Sequence, residues 1–375
     1  MKLADENGTL TALGEKLGEN YDDPEWEKLL DQLTISDIID NLINGYYSTQ
    51  KIESIGKPKL NDFDGPAQFG GLTRLPGNRG TGYPTMVVVA STWNPKLAYE
   101  FGKSYGDDMK SVGGDGMWGW AVDSHRTAWF GRNHESPSED PFLAGTIVAQ
   151  AVKGLSTKGK YCTIKHFALY GNGGIDRWVT EQAFREIHLE AFRKAFVEGG
   201  ALGCMTTYQG VGAEHSESTT ALLTGVLRKE WAFNGAITTD YIGKNFWCES
   251  IIRSGGNLGM GVSLSKGGFS DYKTVTPTVR FQNRLRESAH QTLYMWLRAK
   301  YYEREYLKNP DKNDNYVSST SINSWCWWKP LVTCIDVLLI SGAVFLLMMT
   351  YTGMFMKDEK SSQEQLVSTE RTENN

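Results

Sequence analysis

The sequence predicts an α/β fold of the (β/α)8 TIM-barrel type, followed by a C-terminal transmembrane helix. Three observations lead there. Short β-rich runs alternate with amphipathic helical stretches along most of the 375 residues, and that order implies a parallel sheet. Polar residues gather where the runs end, in "KHF" (165–167), "TTYQ" (206–209) and "TTDY" (238–241), as they do on the active face of a barrel. Finally, "VLLISGAVFLLMMTYTGMFM", Val337 to Met356, contains no charged residue.

Each element has its own signal. "DPEWEKLLDQLTISDIIDNLING" (23–45) reads as a helical lead-in, and "TMVVVA" (85–90), "GMWGWAV" (116–122), "YCTIKHF" (161–167), "ALGCMTTY" (201–208), "GAITTDY" (235–241) and "GNLGMGVSL" (256–264) read as strands. Helical patterns lie between most of them: "NPKLAYEFGKSYGDDMKSV" (94–112), "DPFLAGTIVAQAVKGLSTKG" (140–159), "TEQAFREIHLEAFRKAFVEGG" (180–200) and "TTALLTGVLRKEWAF" (219–233). Gly, Asn, Asp and Pro punctuate the joints. The helix "VRFQNRLRESAHQTLYMWLRAKYYEREY" (279–306) closes the body. An open doubly wound sheet is the competing architecture, and the lack of a GxGxxG turn after the first strand counts against its dinucleotide-binding form.

The expected organisation is an N-terminal linker remnant (1–20), a barrel domain (21–305), a polar linker (306–330), a transmembrane helix (331–356) and a polar tail (357–375). About 20 apolar residues match a hydrocarbon core about 30 Å thick. Trp325, Trp327 and Trp328 suit an interfacial belt, although Asp336 stands at the entrance of the span. "MKLADENGTL" has no apolar signal-peptide core.

Composition narrows the chemistry. With a net charge of −5 and no long basic run, nothing attracts a polyanion, so nucleic acid is excluded as a partner. The 12 Trp, 17 Tyr and 15 Phe supply flat apolar faces of the kind sugars stack on, though core packing uses them equally. Cys162, Cys204, Cys248, Cys326 and Cys334 are scattered without metal-ligand spacing, which implies neither a disulfide framework nor a zinc site.

At the strand ends, Asp240 in "AITTDYIG" and Tyr208 in "CMTTYQG" stand where barrel side chains enter a site, and Arg132 and Asp64 lie in the polar loops "FGRNHESPSEDP" and "FDGPAQFG". Taken singly, each has a plain structural role, as a turn, a cap or a packed ring. Together with Lys165 and His166 they form a constellation in which cations and donors surround a carboxylate and can grip several hydroxyls. Two carboxylates disfavour a phosphate and suit a glycoside.

"KHF", "GRNHESPSEDPFLAGT", "DGPAQFG", "STWNPKLAYEFGKSYGDDM" and "LLTGVLRKEWAFNGAITTDY" together resemble the N-terminal barrel domain of glycoside hydrolase family 3, the β-glucosidase type, over roughly residues 21–266. The resemblance implies retaining hydrolysis of terminal β-D-glucosyl residues in oligosaccharides or aryl glycosides, without metal or organic cofactor. It further implies that Asp240, in the place of the family's "SDW" motif, is the nucleophile. Asp64, Arg132, Lys165, His166 and Tyr208 would hold the sugar before the scissile bond, and Tyr241, where the family usually has Trp, would offer the leaving group a smaller face. Family hexosaminidases carry a longer "KHFPGHG...DSH" pattern, which "KHFALYGNGG" lacks; the "DSH" at Asp123 to His125 lies upstream of the Lys-His pair and reads as coincidence.

In the glucosidase branch the acid/base Glu sits on an α/β sandwich domain, and some members place that domain first, the barrel last and an anchor at the C-terminus. The layout resembles the second half of such a protein, so a separate sandwich domain is the expected source of the acid. Glu135, Glu139 and Glu217 read as loop and helix-start residues. A β-xylosidase and an inactive glycan-binding remnant are the competing readings. Plant-glycan substrates would put the barrel on the extracytoplasmic side of a cell membrane.

Overall fold

A computed structural model describes residues 1–43, 48–65, 67–68, 81–171, 176–241, 248–260, 278–311 and 328–373. The chain falls into two units, Met1–Lys312 and Asn313–Asn375.

The first unit is built on a parallel sheet whose strands follow one another in chain order: β1 (Asp62–Asp64), β2 (Gly116–Trp118), β3 (Tyr161–Phe167), β4 (Gly203–Thr206) and β5 (Ala236–Thr238). A further parallel bridge joins Thr238 to Leu258. Consecutive order with a helical crossover after each strand is the wiring of a barrel. Among the described residues, however, the sheet does not close, so the eight-stranded closure expected from the sequence is not reached within them. The strand expected over 256–264 contributes only the Leu258 bridge, and its residues 261–264 lie outside the described part. All seven residues of β3 are buried, as required of a strand covered on both faces.

The crossovers are helices with legible starts. Asn94 caps α5 (Pro95–Ser111) by accepting from the Leu97 N–H, and Asp140 caps α6 (Pro141–Ser156) by accepting from Phe142 and Leu143, each with proline at the first helical position. These two helices meet through glycines: a Cβ on Gly102 would collide with the Ala151 carbonyl, and one on Gly154 with the Tyr99 carbonyl.

Two expectations need correction. "TMVVVA" is not a strand. Met86–Ser91 forms a helix, α4, burying Met86, Val89 and Ala90 at positions i, i+3 and i+4 and leaving Val88 exposed; helical packing overrides the β-propensity of the valines. The first strand is the short polar "DFD" of β1. Residues 1–20 are likewise not a loose remnant. Ala12–Glu19 forms α1, Leu3 and Leu17 are fully buried, and Gly18 packs against the Leu297 carbonyl of the long helix α10 (Val279–Lys308).

β5 leads into the principal candidate carboxylate, Asp240, and a buried polar knot fixes the strand. Asn257 Oδ1 accepts from the Ile237 N–H and from Arg228 Nη2, both at 2.7 Å, while its Nδ2 donates to Gln291 Oε1 at 2.8 Å. Arg228 also donates to the Phe233, Gly235 and Gly255 carbonyls. Asn257→Ala leaves a guanidinium and a strand N–H short of an acceptor, each costing about 1–3 kcal/mol. We expect a loss of about 3 kcal/mol, read as a lowered urea midpoint at unchanged slope.

The described residues of the second unit form one helix, Trp328–Glu373. Its Pro330–Gly353 segment is exposed and is the one described stretch long and apolar enough to cross a bilayer by length and composition. The helix runs past the expected end of the span at 356, so residues 357–373 of the polar tail are helical. Residues 312–327 of the expected linker lie outside the described part.

Candidate active site

The ends of successive strands bring the predicted residues together. Asp64 ends β1, with its Oδ1 accepting from the Gly65 N–H at 3.0 Å. Lys165 and His166 lie near the end of β3, where the pairing with β4 shifts register between Ile164 and Phe167. Neighbours on a regular strand face opposite ways, and an irregularity of this kind re-aims side chains. Lys165 Nζ lies 3.5 Å from Asp64 Oδ1, and His166 Nε2 lies 3.7 Å from Asp240 Oδ2.

Asp240 follows β5. Its Oδ1 accepts from the Tyr241 N–H at 2.6 Å, whereas its Oδ2 is buried without a hydrogen-bond partner among the described residues. Burial raises its carboxyl above the ordinary value, and the Tyr241 N–H, Lys165, Tyr208 and Arg132 pull in the opposite direction. The result is a carboxylate with one oxygen pinned and the other open. Tyr208, exposed by 37 %, follows β4, and its phenol is raised by burial and by Asp240. The Tyr241 ring packs, partly buried, against Trp118, Met205 and Met260.

Asp64, Arg132 and Lys165 share a cavity of about 330 Å³ with Gln68, His134 and Glu135. Arg132 is held on both sides: its Nε and Nη2 donate to the two oxygens of Glu135 at 2.7 and 2.8 Å, and its Nη1 donates to the Tyr170 hydroxyl at 2.9 Å. A bidentate pair fixes direction as well as charge. Glu135 is partly buried, but Arg132 and Lys165 overcome the cost of burial and hold its carboxyl below the usual range. A carboxylate so held orients Arg132 and is a poor proton donor. Glu217 is buried with a raised carboxyl, and His215 and Ser216 are the side-chain groups acting on it.

Three residues of the site escaped the sequence. Glu135 was visible only as a loop acid. Tyr170 packs at a tilt against His166, with ring centroids 4.2 Å apart, and lies under the Arg132 guanidinium. Asp123, buried, accepts from the His166 backbone N–H at 3.1 Å and lies 2.9 Å from its Nδ1. The aspartate of the "DSH" read as a coincidence in the sequence thus lies against the histidine of "KHF". An Asp pointing at the His of "KHF" was the available signal, but it required knowing that Ala121 pairs with Lys165. No group of three His, Cys, Asp or Glu side chains among the described residues is placed to hold a metal ion.

The strand ends of this parallel α/β domain thus gather a carboxylate, cations and a phenol. A family profile, "Glycosyl hydrolase family 3 N terminal domain", matches residues 40–250, and the chain belongs to this family. It is 34 % identical over 238 residues to beta-glucosidase B of Emericella nidulans, covering 62 % of this chain and 28 % of that protein. It is 31 % identical over 233 residues to a beta-glucosidase of Rhizobium radiobacter, covering 60 % of this chain and 28 % of the relative. Among solved structures, the beta-glucosidase of Kluyveromyces marxianus in complex with glucose superposes with a TM-score of 0.66 at 28 % identity, over 76 % of this chain and 34 % of that one. The chain therefore spans a little over a quarter of the length of these curated relatives.

Proposed function

We propose that the chain is the nucleophile-bearing part of a retaining β-glucosidase. The observation that carries the reading is the open, buried Oδ2 of Asp240, ringed by Lys165, His166, Tyr208 and Arg132. In this reading Asp240 attacks the anomeric carbon and forms a glycosyl-enzyme that water later hydrolyses. Asp64, Arg132, Lys165, His166 and Tyr208 bind the sugar hydroxyls, and Tyr241 flanks the leaving group. Donors that tighten as the ring flattens stabilise the transition state more than the ground state. The acid/base Glu is proposed to lie on a sandwich domain outside residues 1–375, the sheet to belong to a complete barrel, and the apolar helix to anchor it on the extracytoplasmic face of a membrane. Relatives named beta-glucosidase support the substrate class.

The test uses the full chain in detergent micelles and a 2-deoxy-2-fluoroglucoside with a dinitrophenyl leaving group, which departs without protonation. Mass spectrometry should find a fluoroglucosyl adduct on the peptide containing Asp240. A folded chain that gains no adduct would sink the reading and leave a glycan-binding role in front. Faster labelling by the corresponding xyloside would change the sugar and leave the mechanism.

The Arg132 clamp gives a second expectation. Glu135→Gln loses the charge of a bidentate pair, worth roughly 1.5–3 kcal/mol for a hydrogen bond to a charged group. Glucose affinity, measured by calorimetry, should fall roughly tenfold or more, with the folded content unchanged by circular dichroism.

A further inference from the structure

His166 faces two carboxylates through one ring. Its Nδ1 lies 2.9 Å from Asp123 Oδ2 and its Nε2 lies 3.7 Å from Asp240 Oδ2. A neutral imidazole has one proton and one lone pair. If the proton sat on Nδ1, facing an ionised Asp123, the Nε2 lone pair would be turned towards Asp240 Oδ2, which is repulsive. If both nitrogens carried protons, a buried cation would sit beside Lys165 and Arg132.

We infer that Asp123 is a positioning residue: it keeps a proton and donates it to His166 Nδ1, so that Nε2–H is the donor aimed towards Asp240. The 3.7 Å separation is too long for a direct hydrogen bond. A sugar hydroxyl bridging the two groups would accept from Nε2–H and donate to Oδ2, which orients that hydroxyl. The tautomer thus decides which way the hydroxyl points.

The surroundings agree. Burial pushes the Asp123 carboxyl up to about 8, even though the His166 N–H, Arg132 and Arg126 favour its charge; Glu135 adds to the rise. Burial, Lys165 and Arg132 together push the His166 imidazole well below its usual value. Tyr170 packs at a tilt against the ring, and Asp240 faces its far nitrogen. As pH rises through the Asp123 value, the carboxyl loses its proton to solvent. The ring then exchanges its Nε2 proton for one on Nδ1, and the donor towards the sugar is lost.

The catalytic meaning of this arrangement rests on the glucosidase reading, but the proton's position does not, and the test separates them. The full chain, labelled with ring-¹⁵N histidine, is titrated by NMR in micelles; His166 is assigned by the signal missing in His166→Gln. At pH 6 we expect a neutral ring protonated on Nε2, switching to Nδ1 by about pH 10. Asp123→Asn should hold Nε2–H throughout, because its amide oxygen can take the His166 N–H while its NH2 donates to Nδ1. Release of dinitrophenol from the dinitrophenyl glucoside, which keeps every hydroxyl, should fall on the alkaline side, about tenfold per pH unit beyond the midpoint, in the wild type and not in Asp123→Asn. A ring protonated on Nδ1 at pH 6, or on both nitrogens, overturns the inference whatever the labelling shows. The expected tautomer in a chain that never labels keeps the inference and removes the glucosidase reading. Should Asp123→Asn fail to fold, the wild-type titration decides alone.

Discussion

Asp240→Asn should abolish the fluoroglucosyl adduct, with a rate loss on the order of 10⁴-fold or more, because an amide oxygen does not replace a carboxylate as nucleophile. The substitution keeps the shape and the acceptor for the Tyr241 N–H, so the fold should survive and sugar binding should weaken far less than labelling. The pH dependence adds a sign. Burial raises the Asp240 carboxyl and attack needs its ionised form, so on the acid side labelling rises as pH rises through that value and disappears as pH falls through it. Lys165 pulls the value down, so Lys165→Met should move this acid limb to higher pH. Labelling that persists at another carboxylate in Asp240→Asn would reassign the nucleophile. An acid limb that does not move in Lys165→Met would remove Lys165 from the charge balance at Asp240.

Much of this arrangement was legible because it is local. "NP" and "DP" announce helix starts through capping chemistry, and "GAITTDY" places Asp240 just past its strand. What was hidden depends on register or on packing. The β-branched run 87–89 looks like a strand until Val89 and Ala90 are seen buried on one helical face with Met86. "DFD" is too short and too polar to signal a strand, yet it pairs residue by residue with Gly116, Met117 and Trp118. Asp123 and His166 are 43 residues apart, and only the β2–β3 pairing brings them together. Asp64, Arg132, Lys165, His166, Tyr208 and Asp240 could be named as candidates from the chain alone, whereas Asp123 and Tyr170, and the proton relation between Asp123 and His166, needed three dimensions.

The second large effect concerns the leaving group. Retaining hydrolysis uses a carboxylic acid about 5–5.5 Å from the nucleophile to protonate the departing oxygen. Glu135, the carboxyl fixed to Arg132, is held ionised, and Asp123 directs its proton to a ring that faces the nucleophile rather than a leaving group. If the acid lies outside residues 1–375, the chain should cleave a dinitrophenyl glucoside while losing about 10²–10⁴-fold more than a complete enzyme on alkyl glucosides or cellobiose, the usual contribution of a general acid. The dependence of rate on leaving-group pKa should therefore be steep. Azide or formate needs no deprotonation and should speed release of the glycosyl-enzyme from the same chain. A shallow dependence, with cellobiose cleaved nearly as fast as the activated substrate, would mean that this chain carries its own acid, and the proposed sandwich domain would no longer be needed to explain the chemistry.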